Sequence, residues 1–168
     1  CNYLLALDIS PGMLKQASLR DKAQGYVCGD AEALPLRSES LDLVFSSLAL
    51  QWCHDPAQAF REIKRVLTSQ GYALFATLNS GSLFELREAW MAVDDHEHVN
   101  QFMEELELRS VLQQAEIQCK TWQVQRHVMY YADVNAILQS LKRIGASQVN
   151  GQRSQGLLTR QKLQCLQQ

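Results

Sequence analysis

No apolar run in the sequence approaches the roughly 20 residues that a membrane-spanning helix requires, so a membrane protein is not predicted. The five cysteines are odd in number, widely spaced and without a C-x-x-C pair, which argues against a disulfide framework. We therefore expect thiols in a reducing, cytoplasmic compartment. Hydrophobic residues make up 46% of 168, which is typical of a globular protein with its own core.

Acidic residues are nearly missing from the final third of the chain. From Gln118 onward, seven Lys and Arg accompany a single acid, Asp133, whereas the chain up to Ile117 has nine Lys and Arg against 17 Asp and Glu. This basic third favours an acidic partner or substrate, and a solvated basic face is the alternative. Few aromatic residues lie among these charges, so nucleic-acid binding is not expected.

Short apolar runs alternate with helical patterns over the first half of the chain. The runs in YLLAL, YVC, LDLVF and YALFATL read as strands, and prolines at 11 and 56 suit the first turn of a helix. Ser10 and Asp55 are the expected N-caps, and Gly71 is expected to end the second helix. This alternation predicts an α/β fold, with a largely parallel sheet and helices on both faces.

The alternation stops after the strand predicted at 72–78. Ser82 and Glu85 form a capping-box signature before one helix, and a second helix is predicted over 104–115. Together they form a helical cap segment at about 82–116, inserted into a single domain over 1–168. A further strand over 117–129 and a helix from 134 are expected to follow.

Polar side chains follow the predicted strands. Asp8 and Asp30 end the first two strands, and in open α/β sheets ligands bind outside these carboxyl ends. A carboxylate accepts hydrogen bonds from ribose hydroxyls or from the amino group of adenine. The two faces of the adenine ring are apolar, so they suit apolar side chains such as Ile9 and Met13. The pattern predicts a nucleotide site; helix capping by Asp8 and ordinary packing of Ile9 and Met13 are the alternatives.

The segments LDISPGML, GDAEALPL, LDLVFSSLALQW and FREIKRVLTSQGYALFATL resemble, in this order, the successive motifs of class I S-adenosylmethionine-dependent methyltransferases. The resemblance covers about the first half of the chain and implies a Rossmann-like sheet with S-adenosylmethionine as cofactor. It places Asp8 on the ribose and Asp30 on the adenine amino group. The other residues that it places around the cofactor are Ile9, Met13, Ala31, Ser46 and Ser47.

The family's glycine-rich loop has no counterpart in the sequence. None of the eight glycines forms such a loop before Asp8, and no final strand follows Leu163. We expect the first strand with its loop, and the last strand, to be absent from this chain, so that the fold is truncated at both ends. A non-catalytic protein that keeps the fold is therefore an alternative. A nicotinamide-dependent dehydrogenase is another, although the GDAEALPL segment argues against it.

The segments LALQWCHDP, GSLFELREAWMAVD and SLKRIGASQVNGQR resemble the malonyl-acyl-carrier-protein O-methyltransferases of biotin biosynthesis. This resemblance implies methyl transfer to the free carboxylate of a malonyl thioester, with an acidic acyl carrier protein as partner and a monomeric enzyme. A methyltransferase for another small acid is the alternative.

The residues expected to act on the substrate hold it rather than react with it. A malonyl carboxylate is ionised at neutral pH and is its own nucleophile, so no catalytic side chain is required. A cation would hold the carboxylate. We expect this role from Arg87, Lys142 or Arg153, and a pocket shaped by Gln51 and Trp52. The DDHEHVN stretch does not predict a metal site, since its two histidines diverge on a helix.

Overall fold

The structure is a computed structural model that describes residues 3–96 and 98–143. Its described elements include both strands and helices over the first half of the chain and are helical after Ala76. They are β1 (Leu5–Asp8), α1 (Pro11–Ser18), β2 (Gly25–Cys28), β3 (Leu41–Ser47), a 3-10 turn (Leu50–Trp52), α2 (Pro56–Val66), β4 (Leu67–Ala76), α3 (Phe84–Met91), α4 (Glu105–Gln114) and α5 (Val134–Arg143). None of these helices is long and apolar enough to cross a membrane.

The described residues form two compact units. The first unit contains β1 to β4 with α1, α2 and α4, and the second contains α3 and α5. The two helices of the predicted cap segment therefore fall into different units. The single-domain organisation over 1–168 stays a prediction.

Both strand pairs of the first unit are parallel. In one pair, Leu5 lies opposite Gly25 and Asp8 lies opposite Cys28. In the other, β3 pairs with β4, with Ser47 opposite Ala76 at the last position. Parallel strands need a crossover, which α1 and α2 provide, and the carboxyl ends of paired strands then meet at one edge.

The two crossover helices begin as the sequence predicts. The Ser10 hydroxyl accepts a hydrogen bond from the Met13 N–H at 3.4 Å, and the Asp55 carboxylate accepts one from the Gln58 N–H at 3.0 Å. Each helix has a proline in its first turn. These caps satisfy N–H groups that an α-helix leaves without a partner, which is why the local signals suffice.

The prediction that Gly71 ends α2 is wrong. The helix ends at Val66, and Leu67 adopts an extended conformation that starts β4, so Gly71 lies inside the strand. A Cβ atom at Gly71 would lie 3.1 Å from the carbonyl oxygens of Leu41 and Thr68. The glycine therefore serves a close backbone approach, beside the register shift between β3 and β4.

The core of the first unit lies between α2 and the β3–β4 sheet. Phe60 and Val66 of α2 are fully buried, and the Phe60 ring lies 5.1 Å from the ring of Phe75 on β4. Burying side chains of this size stabilises the fold by about 1.5–3 kcal/mol each. The opposite face of the same two strands presents four exposed apolar side chains, which are Leu43, Phe45, Tyr72 and Leu74.

The second unit has a smaller core. Leu86 and Trp90 of α3 are buried together with Val99. The apolar side of α5 packs against this cluster through Val134, Ile137, Leu138 and Leu141. Both α4 and α5 lie where the sequence predicts helices, because each carries apolar residues at helical spacing.

The capping box predicted at Ser82 and Glu85 is wrong. Helix α3 begins at Phe84, and its N-cap, Leu83, has a φ of 57° and no side-chain capping hydrogen bond. The Ser82 hydroxyl instead donates to the Asn79 side chain at 3.5 Å. The Ser82 side chain thus hydrogen-bonds within a local turn at residues 79–82 instead of capping the helix. Serine often makes such local hydrogen bonds, so it is an unreliable indicator of a helix start.

The strand predicted over 117–129 is also wrong. None of the strand pairings in the described chain includes this stretch, although Val124 and Val128 within it are exposed and apolar. A strand needs a partner for its backbone groups, and the partial alternation of a sequence does not supply one. Near its start, the Lys120 ammonium lies 4.5 Å from the centre of the Tyr72 ring on β4.

Candidate functional site

Asp8 is the last residue of β1, whereas Asp30 lies two residues after β2 and not at its end as predicted, yet the two acids have the same local geometry. Asp8 Oδ1 accepts a hydrogen bond from the Ser10 N–H at 2.8 Å, and Asp30 Oδ1 accepts one from the Glu32 N–H at 2.9 Å. Each carboxylate is thus held by the N–H two residues further along the chain. No described residue donates a hydrogen bond to the second oxygen of either acid. That oxygen is available to a ligand at both positions.

The loops that carry these acids are joined to each other. The Gly29 N–H donates to the Asp8 carbonyl at 3.1 Å, and the Cys28 thiol donates to the Ile9 carbonyl at 3.5 Å. After Asp30 the chain turns through Ala31. The structure therefore brings Asp8, Ile9, Asp30 and Ala31 to one edge of the sheet, as the strand-end rule predicts.

Two exposed apolar side chains lie beside the first acid. Ile9 is 68% exposed and Met13, in the first turn of α1, is 47% exposed. Exposed apolar groups next to half-satisfied carboxylates suit a ligand with a flat apolar face and polar edges. Adenosine has this chemistry, because its base stacks on apolar side chains while its amino and hydroxyl groups donate hydrogen bonds.

Ser46 and Ser47 end β3, and the backbone is strained directly after them. Leu48 has a φ of 54°, an uncommon conformation for a residue with a side chain. The Gln51 amide donates to the Leu48 carbonyl at 2.9 Å and accepts from the Thr77 hydroxyl at 3.3 Å. Gln51 thus holds this turn, and Trp52, which follows it, is half-buried.

The structure gives the predicted substrate cations different surroundings. Arg87 of α3 donates at 3.4 Å to the carbonyls of Ser80, Ser82 and Asn100, and no described residue accepts from its buried Nε. Lys142 belongs to α5, but its side chain and the whole of Arg153 lie outside the described residues. Their role toward a substrate carboxylate stays a prediction.

Sequence reasoning missed three residues that shape this edge of the sheet, namely Glu32, Glu62 and Arg65. Their side chains hold the stretch after Asp30 through hydrogen bonds described below. The three-residue spacing of Glu62 and Arg65 inside FREIKRVL places both groups on one side of α2. The spacing does not indicate that they bind a loop, and it carries no signal for Glu32.

Cys53 lies beside the acids of this region. Burial, together with the charges of Glu32 and Asp30, raises the pKa of its thiol to about 11. Because the thiolate is the reactive form, only about one in a thousand Cys53 side chains is ionised at pH 8. We expect iodoacetamide at this pH to modify the exposed Cys28 and Cys119 well before Cys53, as measured by mass spectrometry of digests.

Alkylation in denaturant provides the control for this prediction, because all three thiols then have ordinary pKa values and comparable rates. Modification of Cys53 as fast as Cys28 in the folded protein would contradict the burial and charge environment assigned to it.

The DDHEHVN stretch contains a hydrogen-bonded His–Asp pair in the second unit. His98 Nε2 lies 2.7 Å from Asp94 Oδ1, and the His98 ring stacks on Trp90 at 3.7 Å. Within the described ranges, no group of three or more His, Cys, Asp or Glu side chains could hold a metal ion. The contacts of His98 are those of a packed side chain.

Comparison with protein families and curated proteins gives consistent results. Residues 1–75 match the methyltransferase domain family. The chain is 43% identical over 162 residues to the malonyl-[acyl-carrier protein] O-methyltransferase of Pseudescherichia vulneris, covering 96% of this chain and 63% of that protein. It is 41% identical over 162 residues to the biotin biosynthesis bifunctional protein BioHC of Cellvibrio japonicus, covering 96% and 32% respectively. The chain thus spans less than two thirds of these relatives.

Solved structures agree with the fold. The complex of the Haloferax volcanii Trm112 methyltransferase activator with its methyltransferase matches with a TM-score of 0.54 and 25% identity, over 66% of this chain and 48% of that chain. A methyltransferase from Thermotoga maritima matches with a TM-score of 0.51 and 24% identity, over 65% and 52%. The predicted Rossmann-like α/β fold is confirmed.

Proposed function

We propose that the protein is an S-adenosylmethionine-dependent O-methyltransferase, because residues 1–75 of this chain match the methyltransferase domain family. Its substrate is the free carboxylate of a malonyl thioester on an acyl carrier protein, in the synthesis of a biotin precursor. The observation that carries this proposal is the 43% identity to a malonyl-[acyl-carrier protein] O-methyltransferase, because the match extends over 96% of the chain.

The residues of the β1–β2 edge fit S-adenosylmethionine. Asp8 and Asp30 each keep one carboxylate oxygen for a ligand, which suits a ribose with two hydroxyls and an adenine with an amino group. Ile9 and Met13 would flank the base, and the Ala31 N–H would meet its edge. Ser46 and Ser47 would lie beside the methionine part.

The chemistry demands positioning more than proton transfer. Bound S-adenosylmethionine supplies a methyl group on a positively charged sulfur, which passes to a carboxylate oxygen to leave a neutral ester and S-adenosylhomocysteine. The carboxylate is already ionised at neutral pH, so the protein has no proton to remove. Its task is to align the two reacting atoms and to exclude water.

Several residues are proposed for the substrate side. Gln51 fixes the strained turn at Leu48, and with Trp52 it would form a wall next to the end of β3. Arg87, Lys142 and Arg153 are the cations proposed to hold the malonyl carboxylate, since a cation can do so without acting as an acid or base.

The carrier protein is proposed to approach the basic final third of the chain. Seven Lys and Arg against one acid after Gln118 would attract an acidic partner and increase the association rate. The odd number and wide spacing of the cysteines favour a reducing compartment, so we propose that the protein is cytoplasmic. The resemblance to the malonyl-acyl-carrier-protein O-methyltransferases is the basis for proposing a monomer.

The substrate assignment is tested by offering malonyl-acyl carrier protein and free malonate side by side, with S-adenosylmethionine in excess. We expect the methyl ester to form on the carrier-bound malonyl group at least tenfold faster than on the free acid, because binding energy from the carrier aligns the carboxylate. The measurement is mass spectrometry of both products.

Acetyl-acyl carrier protein is the matched control, since it has the same carrier and no free carboxylate, and it should remain unmethylated. Methylation of free malonate without methylation of the carrier-bound group would indicate a methyltransferase for small acids and contradict the proposed substrate.

A further inference from the structure

The stretch after Asp30 has little regular structure of its own. Residues 30–38, all described, contain one isolated bridge between Asp30 and Ala33 and no helix or strand. We call these nine residues the adenine-side segment. A Cβ atom on Gly29 would lie 2.7 Å from the Pro35 ring, so the glycine lets the segment fold back closely on its own start.

Arg65 of α2 makes three hydrogen bonds to this segment. Its guanidinium donates to the carbonyls of Leu34 and Leu36 at 2.9 Å each, and to the Ser38 hydroxyl at 3.2 Å. A planar guanidinium can make these contacts together because its donors point in fixed, divergent directions. One side chain thus holds three positions spread over five residues of a loop.

Glu62 completes this attachment. One carboxylate oxygen accepts from the Leu34 N–H at 2.8 Å and from Arg65 at 2.7 Å, and the other oxygen accepts from Arg65 Nε at 2.8 Å. These bonds stabilise the ionised form, so the pKa of Glu62 lies below its ordinary value, with Arg65 as the largest cause. Glu62 therefore both orients the guanidinium and binds the loop directly.

The start of the segment is held from the other side. The Glu32 carboxylate accepts from the His54 N–H at 2.6 Å, and the Glu32 carbonyl accepts from the Gln58 side chain at 3.2 Å. The Glu32 N–H in turn donates to Asp30. Both ends of the adenine-side segment are thus fixed to α2 or to the residues just before it.

We propose that Glu62 and Arg65 are positioning residues for cofactor binding, which act by holding the adenine-side segment so that Asp30 presents its available oxygen to the adenine amino group. This inference rests on the proposed function, since it assigns a cofactor role to Asp30. It goes beyond that function because neither residue needs to touch the cofactor. A surface ion pair of this spacing alone would contribute little to the fold.

The test compares Arg65→Met with Lys64→Met. Lys64 lies on the same helix, but its ammonium donates at 2.6 Å to Glu116, which lies outside the adenine-side segment. We measure amide hydrogen exchange of residues 29–38 without ligand, and the affinity for S-adenosylhomocysteine by calorimetry. In Arg65→Met we expect exchange of the segment to accelerate about tenfold and the affinity to fall about tenfold, the loss of roughly one charge-assisted hydrogen bond. Lys64→Met should match the parent in both.

Arg65→Lys keeps the positive charge but lacks the planar guanidinium with its several donors. It should therefore restore little of the slow exchange of residues 29–38 or of the affinity for S-adenosylhomocysteine. If Arg65→Met does not fold, Glu62→Gln carries the same comparison, because it keeps the side-chain shape and removes the charge. Unchanged exchange of residues 29–38 overturns the positioning role, whether or not the cofactor binds. Faster amide exchange of residues 29–38 with an unchanged affinity for S-adenosylhomocysteine overturns the positioning role as well. A parent protein without affinity for S-adenosylhomocysteine contradicts the proposed function instead.

Discussion

Replacing Phe60 with alanine is expected to destabilise the protein by about 3–5 kcal/mol. Phe60 is fully buried in α2, and its ring contacts Phe75 on β4. The substitution removes the apolar surface of a whole ring and leaves a cavity that a helix held against a sheet cannot close. Because the total stability of a domain is about 5–15 kcal/mol, this variant would lose a large share of it. Urea unfolding followed by circular dichroism measures the change.

Leu106→Ala is the matched control. Leu106 lies on α4 and is 78% exposed, so its loss should change the free energy of unfolding by less than about 0.5 kcal/mol. A Phe60→Ala variant whose free energy of unfolding falls by less than about 1 kcal/mol would contradict the core described between α2 and the β3–β4 sheet.

The second large effect is expected on cofactor affinity. Asp8→Ala or Asp30→Ala should weaken binding of S-adenosylhomocysteine by about ten- to a hundredfold, since each removes charge-assisted hydrogen bonds worth about 1.5–3 kcal/mol. The fold should survive, because neither side chain is buried. Calorimetry measures the affinity, and a thermal melt checks the fold.

Two further variants sharpen this prediction. Asp8→Asn keeps an oxygen that can accept from the Ser10 N–H, so the local turn is retained while the negative charge is lost. Comparison with Asp8→Ala then shows how much of the affinity depends on that charge. Asp42→Ala removes an exposed acid near the start of β3, at the opposite end of the strand from its carboxyl end, and should leave the affinity unchanged. An Asp8→Ala variant that binds as tightly as the parent removes Asp8 from the site.

The parts of the fold that the sequence predicted correctly depend on local signals. Ser10 and Asp55, each followed by a proline, specify the starts of α1 and α2 within a few residues of chain. The wrong predictions concern residues whose secondary structure depends on contacts with distant parts of the chain. Gly71 lies inside β4 because β3 pairs with β4 on both sides of it, at Leu67 and at Tyr72. Residues 117–129 form no strand because the described strands pair elsewhere. Neither pairing can be read from a short window of sequence.

The residues of the candidate site also fall into those that a local pattern predicts and those that only the folded structure reveals. Asp8 and Asp30 were predictable because the rule for strand ends applies to any open α/β sheet. Glu62 and Arg65 were not, since on an amphipathic helix they have the pattern of solvent-exposed charges. Arg65 contacts Leu36, which lies 29 positions away in the chain, and only the folded structure reveals that contact.

The proposed activity, methyl transfer from S-adenosylmethionine to a malonyl carboxylate, can be followed with a labelled methyl group. The protein is incubated with methyl-labelled S-adenosylmethionine and malonyl-acyl carrier protein, and label on the carrier is followed before and after mild alkaline hydrolysis. The proposed activity predicts label that alkali releases as methanol, as expected of a methyl ester, and a rate at least tenfold lower for Asp8→Ala at limiting cofactor. Absence of label on the malonyl group, in a protein that binds S-adenosylhomocysteine, would contradict it.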